Sequence, residues 1–271
     1  LEAVRRALRS DDIRALTLTG TPGLGKTRLA LEAGRGLRYD FEDGVTFVDL
    51  VPVTHPATVP AAVADALGLK EQAGKTSGAT VIAHLRTRHA LLILDNCEHV
   101  LDAAGWIGEL LAACPAVKLL ATSRAPLRIR GEHQQSLAPL ALTEAMQLFV
   151  ERARAVSAGF ALTDANAAAI TDICRRVDAL PLAIELVAVR IRSLSPAALL
   201  QQLQHRLPAL ESGPRDVPER HRTLRAAIGW SYDLLDVEAQ EFFTHLGLLA
   251  GGGSIEAARA LVGEAVPVAA L

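Results

Sequence analysis

The 271-residue chain has few cysteines, and no histidine motif typical of metal sites occurs in it. Its three cysteines, Cys97, Cys114 and Cys174, are widely spaced and form no C-x-x-C pair. This pattern argues against a disulfide framework and against a structural zinc site. The eight histidines form neither an H-x-x-x-H nor an H-E-x-x-H motif, so we expect no metal site made of protein ligands alone.

Long apolar runs and an excess of charge are missing as well. No secretory leader and no apolar run of about 18 residues occurs, so we expect a soluble, cytoplasmic chain without a membrane partner. The formal net charge is −2 and the isoelectric point is about 6.5, which provides no overall basic field for nucleic acid. Aromatic residues make up only 4% of the chain, whereas alanine and leucine are abundant, so we expect much helix.

One glycine-rich segment carries the strongest chemical information. Residues 20–27 read GTPGLGKT, which is an intact phosphate-binding loop between an apolar run and a helical run. Its backbone N–H groups can converge on phosphate oxygens, Lys26 can reach the β- and γ-phosphates, and Thr27 can bind Mg²⁺. The predicted nucleotide contacts are Gly20, Thr21, Pro22, Gly23, Leu24, Gly25, Lys26, Thr27 and Arg28.

Residues 1–140 alternate strand-like apolar runs with helical patterns. This alternation predicts an α/β P-loop NTPase domain, with a parallel sheet covered by helices on both faces. Ligands of such sheets bind at the carboxyl ends of the strands. The predicted strands are 15–19, 45–50, 91–95, 117–122 and 135–137.

After residue 140 the spacing of the apolar residues becomes helical. We expect a small helical domain over 141–213, in which Ser195 and Pro196 begin a helix. Serine, glycine and proline at 212–214 mark a linker, and a third unit follows over 214–271.

The run Leu91–Asp95, LLILD, has the form of a second nucleotide-site strand that ends in an acid. We expect Asp95 to hold Mg²⁺ opposite Thr27. Fast ATPases usually place an acid directly after this aspartate, but here the residue is Asn96. An amide can orient water but cannot accept its proton. Glu98 is an alternative base, although a solvated acid in the next helical turn is the simpler interpretation.

A further strand ends at Thr122-Ser123-Arg124, from which Arg124 could reach the γ-phosphate. Two other segments imitate nucleotide motifs. Residues 74–76, GKT, follow no strand and are interpreted as a polar loop. Asp49 ends a strand as a ribose-binding acid would, but the third glycine of G-x-G-x-x-G is missing, which disfavours NAD. No N-K-x-D motif occurs, so ATP is favoured over GTP.

Five motifs occur in the order seen in STAND/NB-ARC-type signalling ATPases. The chain resembles most the ATPase core of large bacterial transcriptional regulators of the LuxR and antibiotic-regulatory-protein types. The motifs that carry this resemblance are GTPGLGKT at 20–27, LLILDNCEHVL at 91–101, LLATSR at 119–124, ALPLAIEL at 179–186 and RHRTLRAAIGWSYDLL at 220–235.

The resemblance implies a switch that holds ADP when closed, exchanges it for ATP, opens and often oligomerises. It implies that Pro181 packs on the nucleotide, that Arg124 senses the γ-phosphate and that 214–271 begins a winged helix. Ala179 departs from the family's glycine, a change that we expect to be mild. Direct DNA binding by this chain is disfavoured, because acidic residues accompany the basic cluster at 215–225.

Two functions stay open from the sequence. The leading hypothesis is a slow ATPase that works as a regulatory switch, with Lys26, Asp95, Asn96, Glu98 and Arg124 as its catalytic candidates. The alternative is a nucleotide-dependent interaction or oligomerisation module without significant hydrolysis, which Asn96 favours. Because both ends of the chain resemble cuts within a longer sequence, we expect further domains of a parent regulator as its partners.

Overall fold

A computed structural model describes residues 1–70, 74–205 and 240, and the chain divides into two compact units. The first unit is Leu1–Pro139 and the second begins at Leu140. The predicted third unit and the motif at 220–235 fall almost entirely outside the described residues. The winged helix and its boundary at 214 therefore stay predictions.

The first unit is built on a five-stranded sheet in which all strands are parallel. The order across the sheet is β2-β3-β4-β1-β5, so β4 lies between the strand before the phosphate loop and the strand that ends at Asp95. The strands are β1 (Ala15–Thr19), β2 (Val45–Asp49), β3 (Leu91–Asp95), β4 (Lys118–Ser123) and β5 (Glu132–Ser136).

Alternating residues of β3 show that both faces of the sheet are buried. Leu92 and Leu94 belong to one apolar cluster, whereas Leu91 and Ile93 belong to another. This confirms the predicted parallel sheet with helices on both faces. The helices of the first unit are α1 (Glu2–Arg9), α2 (Lys26–Leu37), α3 (Val59–Ala66), α4 (Ser77–Leu85) and α5 (Ala104–Ala113).

The last predicted strand needed correction. β5 covers Glu132–Ser136 rather than 135–137, and its residues are mostly polar and partly exposed. An edge strand with such a composition lacks the apolar pattern on which strand prediction depends. The Glu132 carboxylate accepts hydrogen bonds from the Thr17 hydroxyl (2.6 Å) and from the Leu127 and Arg128 amides (both 2.8 Å). These bonds join the loop before β5 to β1.

The described part of the second unit is helical, as predicted. Its core contains Phe149, Ile173 and Ile184, each fully buried. The Ser195 hydroxyl accepts a hydrogen bond from the Ala198 amide (3.3 Å), which confirms the predicted helix start. The helices are α6 (Leu142–Val156), α7 (Asp164–Arg176), α8 (Pro181–Ala188) and α9 (Pro196–His205).

The turn between α7 and α8 holds two residues in left-handed backbone conformations. Asp178 has φ 52° and Ala179 has φ 51°. The Ala179 amide donates to the Cys174 carbonyl (2.9 Å) and the Asp178 amide to the Arg175 carbonyl (3.0 Å), which is the Schellman pattern. A Cβ in the left-handed region is strained, so alanine at 179 places backbone strain in this turn that the sequence alone does not reveal.

Among the described residues, no helix combines the length and the apolar composition that a membrane crossing requires.

Candidate nucleotide-binding site

The phosphate loop leaves the carboxyl end of β1 and runs directly into α2. Gly20 (φ 146°) and Gly25 (φ 84°) adopt conformations that glycine tolerates best. A Cβ at Gly20 would lie 2.7 Å from Leu24 Cδ1, so the turn also lacks room for a side chain. Gly25 is the residue before α2, whose first amide groups have no carbonyl partner within the helix. The loop and the start of α2 therefore supply backbone N–H donors and a positive helix end that suit an anion.

The Lys26 ammonium lies across this loop and donates to the Gly20 carbonyl (2.7 Å) and to the Thr21 carbonyl (3.1 Å). Burial lowers the pKa of Lys26. The Glu98 and Asp95 carboxylates act in the opposite direction, and the Arg124 guanidinium adds to the lowering. Phosphate oxygens would replace weak carbonyl acceptors with charged ones, which stabilises the ammonium form.

Thr27, Asp95 and Thr122 form one hydrogen-bonded cluster. Asp95 Oδ1 accepts from the Thr27 hydroxyl (2.8 Å) and from the Thr122 hydroxyl (2.6 Å). Asp95 is only 2% exposed. A hydroxyl beside a buried carboxylate, next to a phosphate loop, is a donor set that fits Mg²⁺, which completes its shell with phosphate and water oxygens. The two predicted magnesium ligands, Thr27 and Asp95, are therefore in contact.

Asn96 directs the chain sharply away from the end of β3. Its φ is 69°, a left-handed conformation that asparagine tolerates better than most residues. Its amide N–H donates to the Thr122 hydroxyl (2.9 Å). Thr122 thus connects Asp95 with Asn96, and it can do so because β4 lies beside β3.

The side chain of Asn96 meets a histidine three residues later. Asn96 Nδ2 lies 3.1 Å from His99 Nδ1, and His99 Nε2 lies 2.9 Å from both the Leu50 and Val53 carbonyl oxygens. A short 3₁₀ helix, Cys97–His99, holds the two side chains at this spacing.

Glu98 is not the solvated acid that the sequence suggested. Its side chain is only 9% exposed, and its Oε1 accepts from Arg124 Nε at 3.3 Å. The 3₁₀ helix directs Glu98 toward the end of β4, where Arg124 follows the last strand residue. Two predicted catalytic candidates therefore form an ion pair with each other.

The remaining predicted residues occupy varied positions. Arg28 is exposed in the first turn of α2, the Leu24 side chain is buried under the loop, and Pro181 begins α8 of the second unit.

The two segments that imitate nucleotide motifs have local contacts. Thr76 accepts from the Ala79 amide (3.2 Å) at the start of α4, a helix-capping role. Asp49 accepts from the Val51 amide (3.0 Å) in the turn after β2. Thr76 and Asp49 thus each make a local hydrogen bond that stabilises a helix start or a turn.

Sequence reasoning assigned no role to two site residues, Thr122 and His99. Residues 122–124 are a candidate site segment at a strand end, but threonine is also common in strands, so the sequence does not predict the contact of Thr122 with Asp95. His99 lies three residues after Asn96, which is the spacing of one 3₁₀ turn. That spacing could have suggested the contact.

Comparison with known proteins identifies relatives of the same region. Residues 10–134 match the family described as AAA domain. A putative HTH-type transcriptional regulator of Mycobacterium tuberculosis is 42% identical over 250 residues, which cover 92% of this chain and 28% of that protein. The regulatory protein AfsR of Streptomyces griseus is 31% identical over 90% of this chain and 25% of its own length. The chain thus spans about a quarter of these regulators.

A solved structure shares the fold. The Walker-type ATPase of Pyrococcus abyssi is similar with a TM-score of 0.63 at 12% identity, covering 99% of this chain and 85% of that one. At this identity the likeness concerns the fold alone. Together with the family match and the regulator relatives, it confirms the resemblance to the P-loop ATPase core of bacterial regulators.

Proposed function

We propose that the chain, whose residues 10–134 match the AAA-domain family, is an ATP/ADP-dependent molecular switch with slow ATP hydrolysis. It would work in the cytoplasm as part of a larger transcriptional regulator. The observation that carries this proposal is the cluster of Lys26, Thr27 and Asp95 beside the loop, with an amide where fast ATPases have an acid.

Each residue of the cluster has a separate task in this proposal. The loop amides and Lys26 hold the phosphates, and Lys26 gives up its two carbonyl partners to do so. Thr27 and Asp95 hold Mg²⁺, which would neutralise charge on the phosphate oxygens. Thr122 keeps Asp95 oriented through its 2.6 Å hydrogen bond.

Slow turnover follows from the residues near the expected position of the attacking water. Asn96 can accept a hydrogen bond from that water but cannot remove its proton. Glu98 could act as a base, but its carboxylate is paired with Arg124. We therefore assign the orientation of water to Asn96 and the partnership with Arg124 to Glu98.

Switching requires a group that distinguishes ATP from ADP. Arg124 forms an ion pair with Glu98, and its positive charge helps to lower the pKa of Lys26, so Arg124 lies near the phosphate loop. We propose that the γ-phosphate competes with Glu98 for Arg124. Pro181 of the second unit would contact the nucleotide, and ATP would favour assembly of a homo-oligomer. Direct DNA binding by this chain is not part of the proposal.

The first test compares two lysines of the same local sequence, Gly-Lys-Thr. Lys26→Ala should weaken binding of a fluorescent ADP or ATP analogue by about tenfold to a hundredfold, because it removes a charge-assisted contact. Lys75→Ala, in the imitating motif, is the control and should bind like the wild-type chain. Unchanged affinity in Lys26→Ala would show that nucleotide binds elsewhere or not at all.

A second function is favoured by Asn96 alone, namely a binding and oligomerisation module without significant hydrolysis. Single-turnover phosphate release separates the two. A slow ATPase should lose roughly a hundredfold in rate in Asp95→Asn, since the metal-holding charge is removed. Glu98→Gln should keep most of the rate if Asn96 orients the water. If the wild-type chain released phosphate no faster than the Asp95→Asn variant, the result would favour the binding module.

A further inference from the structure

We propose that His99 is a positioning residue, which fixes the side-chain amide of Asn96 so that its carbonyl oxygen is left to accept a hydrogen bond from the attacking water. This inference rests on the proposed ATPase function and assigns a role to a residue outside the phosphate loop and the metal ligands.

The partners of the imidazole determine which of its nitrogens carries the proton. Nε2 lies 2.9 Å from the Leu50 oxygen and 2.9 Å from the Val53 oxygen. Carbonyl oxygens only accept hydrogen bonds, so Nε2 must be the donor. In the neutral ring Nδ1 is then an acceptor, and the group 3.1 Å away on Asn96 must be a donor.

This reasoning also determines the orientation of the Asn96 amide. Its Nδ2 donates to His99, so the NH₂ group faces the histidine and the Oδ1 atom is on the other branch of the amide. A flipped amide would place Oδ1 against the unprotonated Nδ1, which sets two acceptors against each other. The histidine therefore excludes one of the two amide orientations.

The surroundings keep this arrangement rigid. Asn96 is 8% exposed and its backbone N–H is held by Thr122, whose hydroxyl also contacts Asp95. The two carbonyls that hold His99 belong to the segment after β2, so three strand ends meet at this network. These contacts restrain both the backbone and the side chain of Asn96.

The orientation matters for the chemistry of hydrolysis. Water attacks phosphorus through a lone pair of its oxygen. When a neighbouring acceptor receives a hydrogen bond from the water, a lone pair of the water oxygen is directed away from that acceptor and stays available for the attack. An NH₂ group in the same place would instead donate to the water and occupy the lone pair. Misplacing a reacting group by about 1 Å can lower the rate by roughly a hundredfold.

Two substitutions separate positioning from a structural role of the same ring. In His99→Asn, Oδ1 replaces Nδ1 and keeps an acceptor for Asn96, while the donor to Leu50 and Val53 is lost. In His99→Gln, the amide nitrogen of the glutamine replaces the imidazole Nε2 and keeps the donor to Leu50 and Val53, while the acceptor for Asn96 is lost. Positioning predicts that His99→Gln lowers kcat about tenfold with little change in melting temperature, and that His99→Asn keeps kcat better but melts lower.

A double variant tests whether His99 acts through Asn96. In an Asn96→Ala background, His99→Gln should cause no further loss of kcat, and the Kd for ADP should stay within about twofold in each variant. If His99→Asn and His99→Gln lowered melting temperature and kcat in parallel, or if the losses of His99→Gln and Asn96→Ala multiplied, the positioning role would be wrong.

A spectroscopic measurement needs no hydrolysis. Ring ¹⁵N resonances of the full chain, with His99 assigned by its loss in His99→Gln, should show the Nε2–H tautomer and a shift of Nδ1 in Asn96→Ala. A Nδ1–H tautomer would overturn the proposal whether or not ATP is hydrolysed. If the expected tautomer were found but the wild-type chain released no phosphate, the fixed amide would be supported and the ATPase function would fail.

Discussion

The two units of the chain differ in what they bury. Among the described residues, every buried polar or charged side chain lies in the first unit, whereas the buried side chains of the second are apolar or cysteine. Several of the buried polar or charged side chains of the first unit lie at the carboxyl ends of β3 and β4. The full set is Thr17, Thr80, Asp95, Asn96, Lys118, Thr122 and Ser123.

In the proposed switch, this difference would give the two units different tasks. Buried polar groups cost free energy unless each has a partner, so they persist where chemistry needs them. Asp95, Asn96 and Thr122 meet this requirement through mutual hydrogen bonds. The buried side chains of the second unit contribute apolar packing, and under the proposed function this unit would respond to the nucleotide rather than react with it.

The largest expected effect tests whether the apolar core of the second unit can be weakened without loss of protection in the first unit. Phe149 is fully buried, and Phe149→Ala should destabilise this unit by about 3–5 kcal/mol. Hydrogen exchange followed by mass spectrometry should show faster exchange in α6–α9 while β1, β3 and β4 stay protected. Leu162→Ala, at a 44% exposed position, is the matched control with little effect. Equal loss of protection in β1–β4 would mean that the two units unfold together.

An intermediate effect tests the polar network of the first unit. Thr122→Val removes the hydroxyl that donates to Asp95 and accepts from Asn96, and it should cost about 1–3 kcal/mol. Urea denaturation followed by Trp106 fluorescence in a Trp230→Phe background measures this cost.

The control for Thr122 is another buried threonine of the same unit. Thr80→Val removes only a hydroxyl that donates to the Thr76 carbonyl within a helix turn, so its cost should be smaller. If both valine variants lost the same stability, the network at Asp95 would have no special importance.

The smallest expected effect concerns backbone strain in the second unit. Ala179 has φ 51°, and Ala179→Gly should stabilise this unit by up to about 1 kcal/mol, since relief of strain exceeds the added chain entropy. Ala168→Gly, at an exposed site within α7, should instead cost about 1 kcal/mol. Thermal unfolding of both variants gives the comparison, and a lower melting temperature for Ala179→Gly would contradict the strain argument.

The sequence predicted those features that depend on local pattern. The apolar runs at β1 and β3 are recognisable because both of their faces are buried, and the loop at Gly20–Gly25 because its glycines are needed for the turn. β5 was misplaced because its stability comes from pairing with β1 and from Glu132, neither of which depends on local hydrophobicity. The solvated role given to Glu98 failed because its partner, Arg124, lies 26 residues away.

The local sequence alone was enough to identify the phosphate loop, its lysine and the acid at the end of β3, because each is defined by residue types at short, fixed spacing. The tertiary structure decided which side chains share that site. It placed β4 between β1 and β3, so that Thr122 contacts both Asp95 and Asn96. It also brought two carbonyl oxygens of the segment after β2 within hydrogen-bond distance of His99. These contacts depend on strand order, which no short segment of sequence encodes.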